Sequence, residues 1–325
     1  MPSLFVKRRG HERIRTTPLT SSEWPLLWIG LLPMGVLVLG HLLFDLVGPP
    51  FASHARLLMQ IRNVDVPSAA IAASEVWAAT ALIYLVVGFG SVVFLVYIFL
   101  SRVRGWAAMP FLGLAAFFSV FGVAHLVMIK ETRGAVSTIF YLTFDSLQRS
   151  SFLDAARLEG IHLLLNVINL MSLLVPALFC AFLPASLLRP LQGWTGDLLA
   201  ERIKDGRQFA LIASAFLVAG VLHMYAWMHW SAVLLLREEV ARLAMSVVFY
   251  WSCVFTTMIG VLYLPMLVVL HARAERLMNG LQMPLTSRPK WLNNHGLSYR
   301  AVAQVRQMVT IFAPLLSSLT LSSVN

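Results

Sequence analysis

The chain is 325 residues long, 58% hydrophobic and 12% charged, whereas an ordinary soluble domain is about a quarter charged, which excludes a soluble globular protein. Its 25 Lys and Arg against 15 Asp and Glu give a net charge of +10, and in so apolar a chain that excess reports membrane orientation and not a nucleic-acid partner. Six uncharged stretches exceed 20 residues, each long enough at ~1.5 Å per residue to cross about 30 Å of hydrocarbon. The expected fold class is therefore all-α: a polytopic integral membrane protein with the lipid bilayer as its surroundings, built as a bundle of six transmembrane helices with amphipathic outer-loop helices and a C-terminal cytoplasmic helix.

Residues 1–23 form a basic N-terminal segment led by Lys7, Arg8, Arg9, Arg13 and Arg15. No small-residue cleavage site follows the first apolar stretch, so that stretch reads as a retained helix and not as a secretory signal. A mitochondrial presequence over residues 1–22 is the alternative; the Arg, Ser and Thr content fits it and the helix-breaking Pro18 does not. The six-span domain occupies residues 24–271, with spans at 24–47, 76–100, 106–129, 161–188, 208–236 and 243–271. The last three exceed the hydrocarbon minimum, so they tilt, bend at Pro176, Pro184 or Pro265, or extend beyond the bilayer. Trp24, Trp28, Trp106, Trp227 and Trp230 suit an interfacial belt.

Between the spans, Gly48-Pro49-Pro50 stops the first helix, and Leu57, Leu58 and Ile61 then share a helical face. A second amphipathic run, Val136, Ile139, Phe140, Phe144 and Leu147, falls in the 130–160 connection. Both read as helices on the membrane surface, serving as lids or as docking surfaces. Residues 189–207 mix acids and bases in the manner of a solvated connector. With both termini inside, the inner segments hold 17 Lys and Arg and the outer ones eight, which places both termini in the cytoplasm, in a bacterial cytoplasmic membrane as first choice and a mitochondrial membrane as second. Cys180 and Cys253 lie in apolar stretches at different depths and read as small buried side chains with no disulfide between them.

Two groups of side chains carry candidate chemistry. His41, His125, His162, His223 and His229 all fall toward the outer ends of their spans, and Asp45 stands one helical turn beyond His41 on the same face. Intramembrane ionisable groups gathered at one depth define a candidate metal or cofactor site. Facing imidazoles would ligate haem b; a His and carboxylate set with Met128, Met224 and Met228 would favour copper or zinc. His223 and His229 are six residues apart, about 120° around the helix, so a single ion does not meet both without help. The second group is a polar stripe, Asn166, Asn169 and Ser172 in the fourth long span, joined by Ser252 and Thr256 in the sixth. Such a stripe needs partners on other helices or a wet cavity.

The tail, 272–325, repeats apolar residues at spacings of three and four. Val302, Val305, Val309 and Phe312, continued by Leu316 and Leu319, form a seam for self-association, a protein partner or docking on the bundle. Asp154-Ala155-Ala156-Arg157-Leu158-Glu159-Gly160 resembles the E-A-A-x-x-x-G coupling segment of importer permeases of the ATP-binding-cassette type. That likeness implies a permease subunit that docks an ATPase, although the family's following I-x-L-P is absent here. No nucleophile motif, phosphate-binding glycine loop or close carboxylate pair is present. The function the residues favour is accordingly a non-enzymatic membrane protein passing ions, a small solute or a signal, within a larger complex. A redox subunit holding haem or copper through the outer histidines is the alternative, and the permease a third.

Overall fold

A computed structural model describes Glu23 and residues 25–47, 68–103, 105–132, 135–150, 153–190, 193–295 and 301–324. The side chains of 125, 126, 128–140, 301–308 and 322–324 are outside that description, as is the first amphipathic run around Leu57, Leu58 and Ile61. All regular structure among the described residues is helical: α1 Pro25–Val47, α2 Ser68–Arg102, α3 Met109–Thr132, α4 Ala135–Arg149, α5 Ala155–Ala185, α6 Gly196–Leu235, α7 Glu238–Gly280, α8 Arg288–Asn294 and α9 Ala301–Val324. Six helices are long and apolar enough to cross a membrane, which makes this a multi-pass integral membrane protein.

The boundaries follow from local chemistry. Asp154 caps α5 by accepting the Arg157 amide at 2.8 Å, and Thr195 caps α6 by accepting the Leu198 amide at 3.3 Å, each satisfying one of the amide donors that a helix start leaves free. The segment that resembles a permease coupling motif is thus the cap and exposed first turns of a 31-residue span. At the far end of α6, Leu236 takes a left-handed φ of 50° and reverses the chain directly into α7. These two helices, 40 and 43 residues long, are about 60 Å rods at ~1.5 Å per residue and form the hairpin on which the others assemble: α2 along α6, α1 along α7, α9 against both, and α4 across one end of α6.

Helix choice within a bilayer depends on small residues, because lipid is as apolar as leucine and close backbone approach decides which faces pair. In α2, Ala70, Ala73, Trp77, Ala81, Tyr84, Gly88, Ser91, Leu95 and Ile98 are all buried at spacings of three and four. The larger aliphatics Ile71, Leu82, Ile83, Val86 and Val93 stay exposed on the other faces.

Three expectations change. Trp227 and Trp230 are 4% and 1% exposed, so they are interior residues and not part of an interfacial belt; Trp28 and Trp106, at 68% and 83%, remain outside. Residues 196–207 are the first three turns of α6 and not a solvated connector, since Arg202 and Asp205 are buried. In α9 the packed positions are Ile311, Pro314 and Ser318, while Val309, Phe312, Leu316 and Leu319 face outward. The Ser214 hydroxyl donates to the Thr310 carbonyl, fastening α9 lengthwise to α6. Val302 and Val305 have side chains outside the described residues.

Candidate functional site

α1 packs against α5 and α7, two of the four helices that wall the site. Gly30 lets α1 lie on the backbone of α5 at Cys180. Beyond that point α1 follows α7 instead: Gly40 faces Val254, the Tyr250 hydroxyl donates to the Gly40 carbonyl at 2.7 Å, and the His41 ring stands 4.7 Å from that of Trp251. A cavity of about 230 Å³ lies between α2, α5, α6 and α7. Tyr84 and Asn169 lie near the middles of α2 and α5, so the cavity is set deep in the apolar length of the bundle.

Its polar side chains are Tyr84, Asn169, Ser172 and His223; Trp227, Trp251, Phe255, Met224 and Met228 supply much of the apolar wall. The His223 ring stacks on Tyr84 with centroids 5.7 Å apart and planes at 22°, and the Trp77 ring is 6.1 Å away. Trp77 continues the aromatic layer to Trp227 and Trp230, at 5.3 and 5.5 Å. These contacts hold His223 in one place, yet its Nδ1 is buried without a hydrogen-bond partner. A buried ring nitrogen left in that condition is costly unless a ligand or water meets it. Ser172 is already committed, donating to the Asn169 carbonyl at 2.7 Å. Beside the cavity, Thr143 of α4 donates to the Trp227 carbonyl at 3.0 Å, and Leu142 and Leu147 are buried, so the part of α4 from residue 141 onward packs on α6.

The opposite end of the bundle is closed by charge. Arg102 of α2 pairs with Glu201 at 2.6 Å and donates to Asp205 at 3.0 Å, both on α6. Arg202, its side chain wholly buried, lies 3.6 Å from the same Asp205. Arg273 of α7 donates to the Leu187 carbonyl just past α5 and stacks over Trp194 at 4.5 Å. Glu23, ahead of α1, accepts the Arg189 amide at 2.8 Å. Charged side chains therefore tie α2 to α6, and tie α7 and Glu23 to the 187–194 segment, with Arg102, Arg202 and Asp205 shielded from water.

Of the stripe expected from the sequence, Asn169 and Ser172 line the cavity. Asn166 is exposed on another face of α5, Ser252 donates to its own helix at Val248, and Thr256 is buried with its hydroxyl unpartnered. The histidines occupy separate ring environments: His41 beside Trp251, His162 beside Phe144, His229 stacked on Tyr225 and His223 in the cavity wall. Asp45 is exposed near the end of α1, and the His125 side chain is outside the described residues. Among the described residues no three His, Cys, Asp or Glu side chains gather to hold a metal ion. Sequence reasoning missed Tyr84, Trp77 and Trp251. Trp77 and Tyr84 stand seven apart among Ala, Gly and Ser, which is a readable seam; nothing local marks Trp251. Comparison with family models, curated proteins and solved structures returns no match.

Proposed function

We propose that this chain is a non-enzymatic membrane protein that passes a small solute, and that the cavity between α2, α5, α6 and α7 is where the solute binds. The observation that carries the reading is the buried, unbonded Nδ1 of His223 in the wall of a cavity shared by four helices. Polar groups at membrane depth that do not bond their own bundle mark a path for something polar. The tied-off charged end supports a state sealed on that side, so passage requires the Arg102 and Asp205 contacts to part.

Thiol chemistry separates a solute path from a sealed packing defect. In a chain whose Cys180 and Cys253 are replaced by alanine, Asn169→Cys and Met224→Cys should react with N-ethylmaleimide at least tenfold faster than Leu170→Cys. The reagent crosses membranes but attacks the thiolate, which forms only where water enters, and Leu170 faces outward from the bundle. Equal, slow rates at all three positions would show a dry core and remove the solute reading.

Orientation is proposed from the basic residues. A reporter fused after Lys290 should behave as cytoplasmic, and reporters at Asn63 and Ser150 as extracytoplasmic. Inversion at all three would place the charged closure outside and α4 inside.

A further inference from the structure

We infer that the solute of this cavity is a neutral amphiphile about the size of two fused six-membered rings, taken in from the bilayer beside α5, with its polar group bonded to His223 and Asn169. The inference rests on the reading of the cavity as a solute site.

Size, charge, polarity and access each bear on it. A dry apolar cavity of about 150 Å³ accepts benzene, so a volume of about 230 Å³ leaves room for a bicyclic ring system. No Asp, Glu, Lys or Arg lines the wall, and the Arg102, Glu201, Arg202 and Asp205 cluster belongs to the opposite end of α6. Aromatic faces do attract cations, but a cation at this depth would have no carboxylate opposite it, and lipid gives it no substitute for water. An anion would likewise meet no Lys or Arg.

Of the polar side chains in the wall, Ser172 is bonded to its own helix and Tyr84 stacks on His223, which leaves His223 and Asn169 to meet a ligand. His223 is 8% exposed and its Nδ1 is unbonded; a neutral imidazole offers one donor and one acceptor, and an amide such as that of Asn169 offers both kinds. One hydroxyl, carbonyl or N–H on the ligand is matched by these two residues, while Trp227, Trp251 and Phe255 supply flat apolar surface for the rest. Ser172, near the middle of α5, lines the cavity and is also exposed, at a depth where the bundle's surroundings are lipid. The mouth therefore opens on a face that lipid covers, where a neutral ring compound partitions and an ion does not.

The test uses 2-naphthol, titrated calorimetrically into the protein in lipid nanodiscs with empty nanodiscs as the blank. Saturable binding is expected, about tenfold weaker in His223→Phe, which keeps an aromatic ring beside Tyr84, and similarly weaker in Asn169→Leu. The cation 2-naphthylmethylammonium should show none above the blank. Equal or tighter binding of that cation would overturn the neutral assignment. Unchanged 2-naphthol affinity in both variants would make the cavity a groove for lipid chains. Absence of saturable 2-naphthol binding in a protein whose residue-169 thiol reacts with N-ethylmaleimide would reject the ligand class and leave the solute reading standing; absence of both signals removes both.

Discussion

Asp205→Ala should be among the most damaging single side-chain changes in the protein, lowering stability by about 3–5 kcal/mol, the range measured when one partner of a buried ion pair is deleted. Asp205 answers two guanidinium groups at once, Arg102 at 3.0 Å and Arg202 at 3.6 Å, and Arg202 has no water to fall back on, since its side chain is wholly buried. Removing the carboxylate leaves a cation without its counter-charge where α2 meets α6. The series around it should be graded by burial. Glu201→Ala removes a carboxylate 41% exposed and should lose no more than about 1 kcal/mol, as partly solvated pairs do. Replacing both members at once, Arg202→Met with Asp205→Leu, should recover much of the loss, because the defect is an unpaired charge and not an empty space. Thermal unfolding in detergent, followed by loss of the monodisperse chromatographic peak, reads all three variants. If Asp205→Ala melts with the unaltered protein, the cluster contributes nothing to closure. In an Asn169→Cys background the same variant should also raise the rate of N-ethylmaleimide labelling at residue 169 if this end is the barrier.

Gly30→Val is expected to be comparably severe for a different reason. A Cβ at Gly30 would overlap the carbonyl oxygen of Cys180, a backbone atom of α5 that no rotamer change moves away, so α1 must shift bodily. Overpacking of this kind typically costs about 1–3 kcal/mol and sometimes more. Here the displaced helix also carries the Tyr250 contact at Gly40 and the tilted His41 to Trp251 ring contact, which hold α1 on α7. Gly30→Ala should act in the same direction and less strongly. Gly35→Ala is the internal control: nothing lies within 4 Å of its Cβ position, and alanine improves helix propensity there by up to about 1 kcal/mol in water. Gly206→Ala meets only the end of the Met266 side chain, which is flexible, so it should be mild and relieved by Met266→Ala. Helix packing is read by a disulfide trap between Met34→Cys and Ala177→Cys, positions of α1 and α5 that share one packed cluster. Unimpaired trapping with unchanged melting in Gly30→Val would mean that α1 does not pack on α5 as described.

Length and hydropathy alone determined the class of this protein. Uncharged stretches longer than 20 residues have no soluble solution, because only hydrogen-bonded helices or closed barrels satisfy the backbone in lipid, and the six long helices lie where those stretches lie. The polar stripe of α5 was half legible: Asn169 and Ser172 are polar at membrane depth and do face a cavity, but Asn166, on the same stripe, does not, since a polar residue announces only its need for a partner. Tertiary structure decided the direction of each face. In water an apolar stripe turns inward; in a bilayer it is equally content outside, which is why Val309, Phe312, Leu316 and Leu319 face outward while Ile311, Pro314 and Ser318 pack. The same ambiguity hid the α2 seam, whose buried side is largely Ala, Gly and Ser. It also hid the charged closure: Arg102 and Asp205 are 103 residues apart, and only the antiparallel packing of α2 on α6 brings them together. The cavity itself arises from how α2, α5, α6 and α7 meet, which periodicity along one helix does not encode.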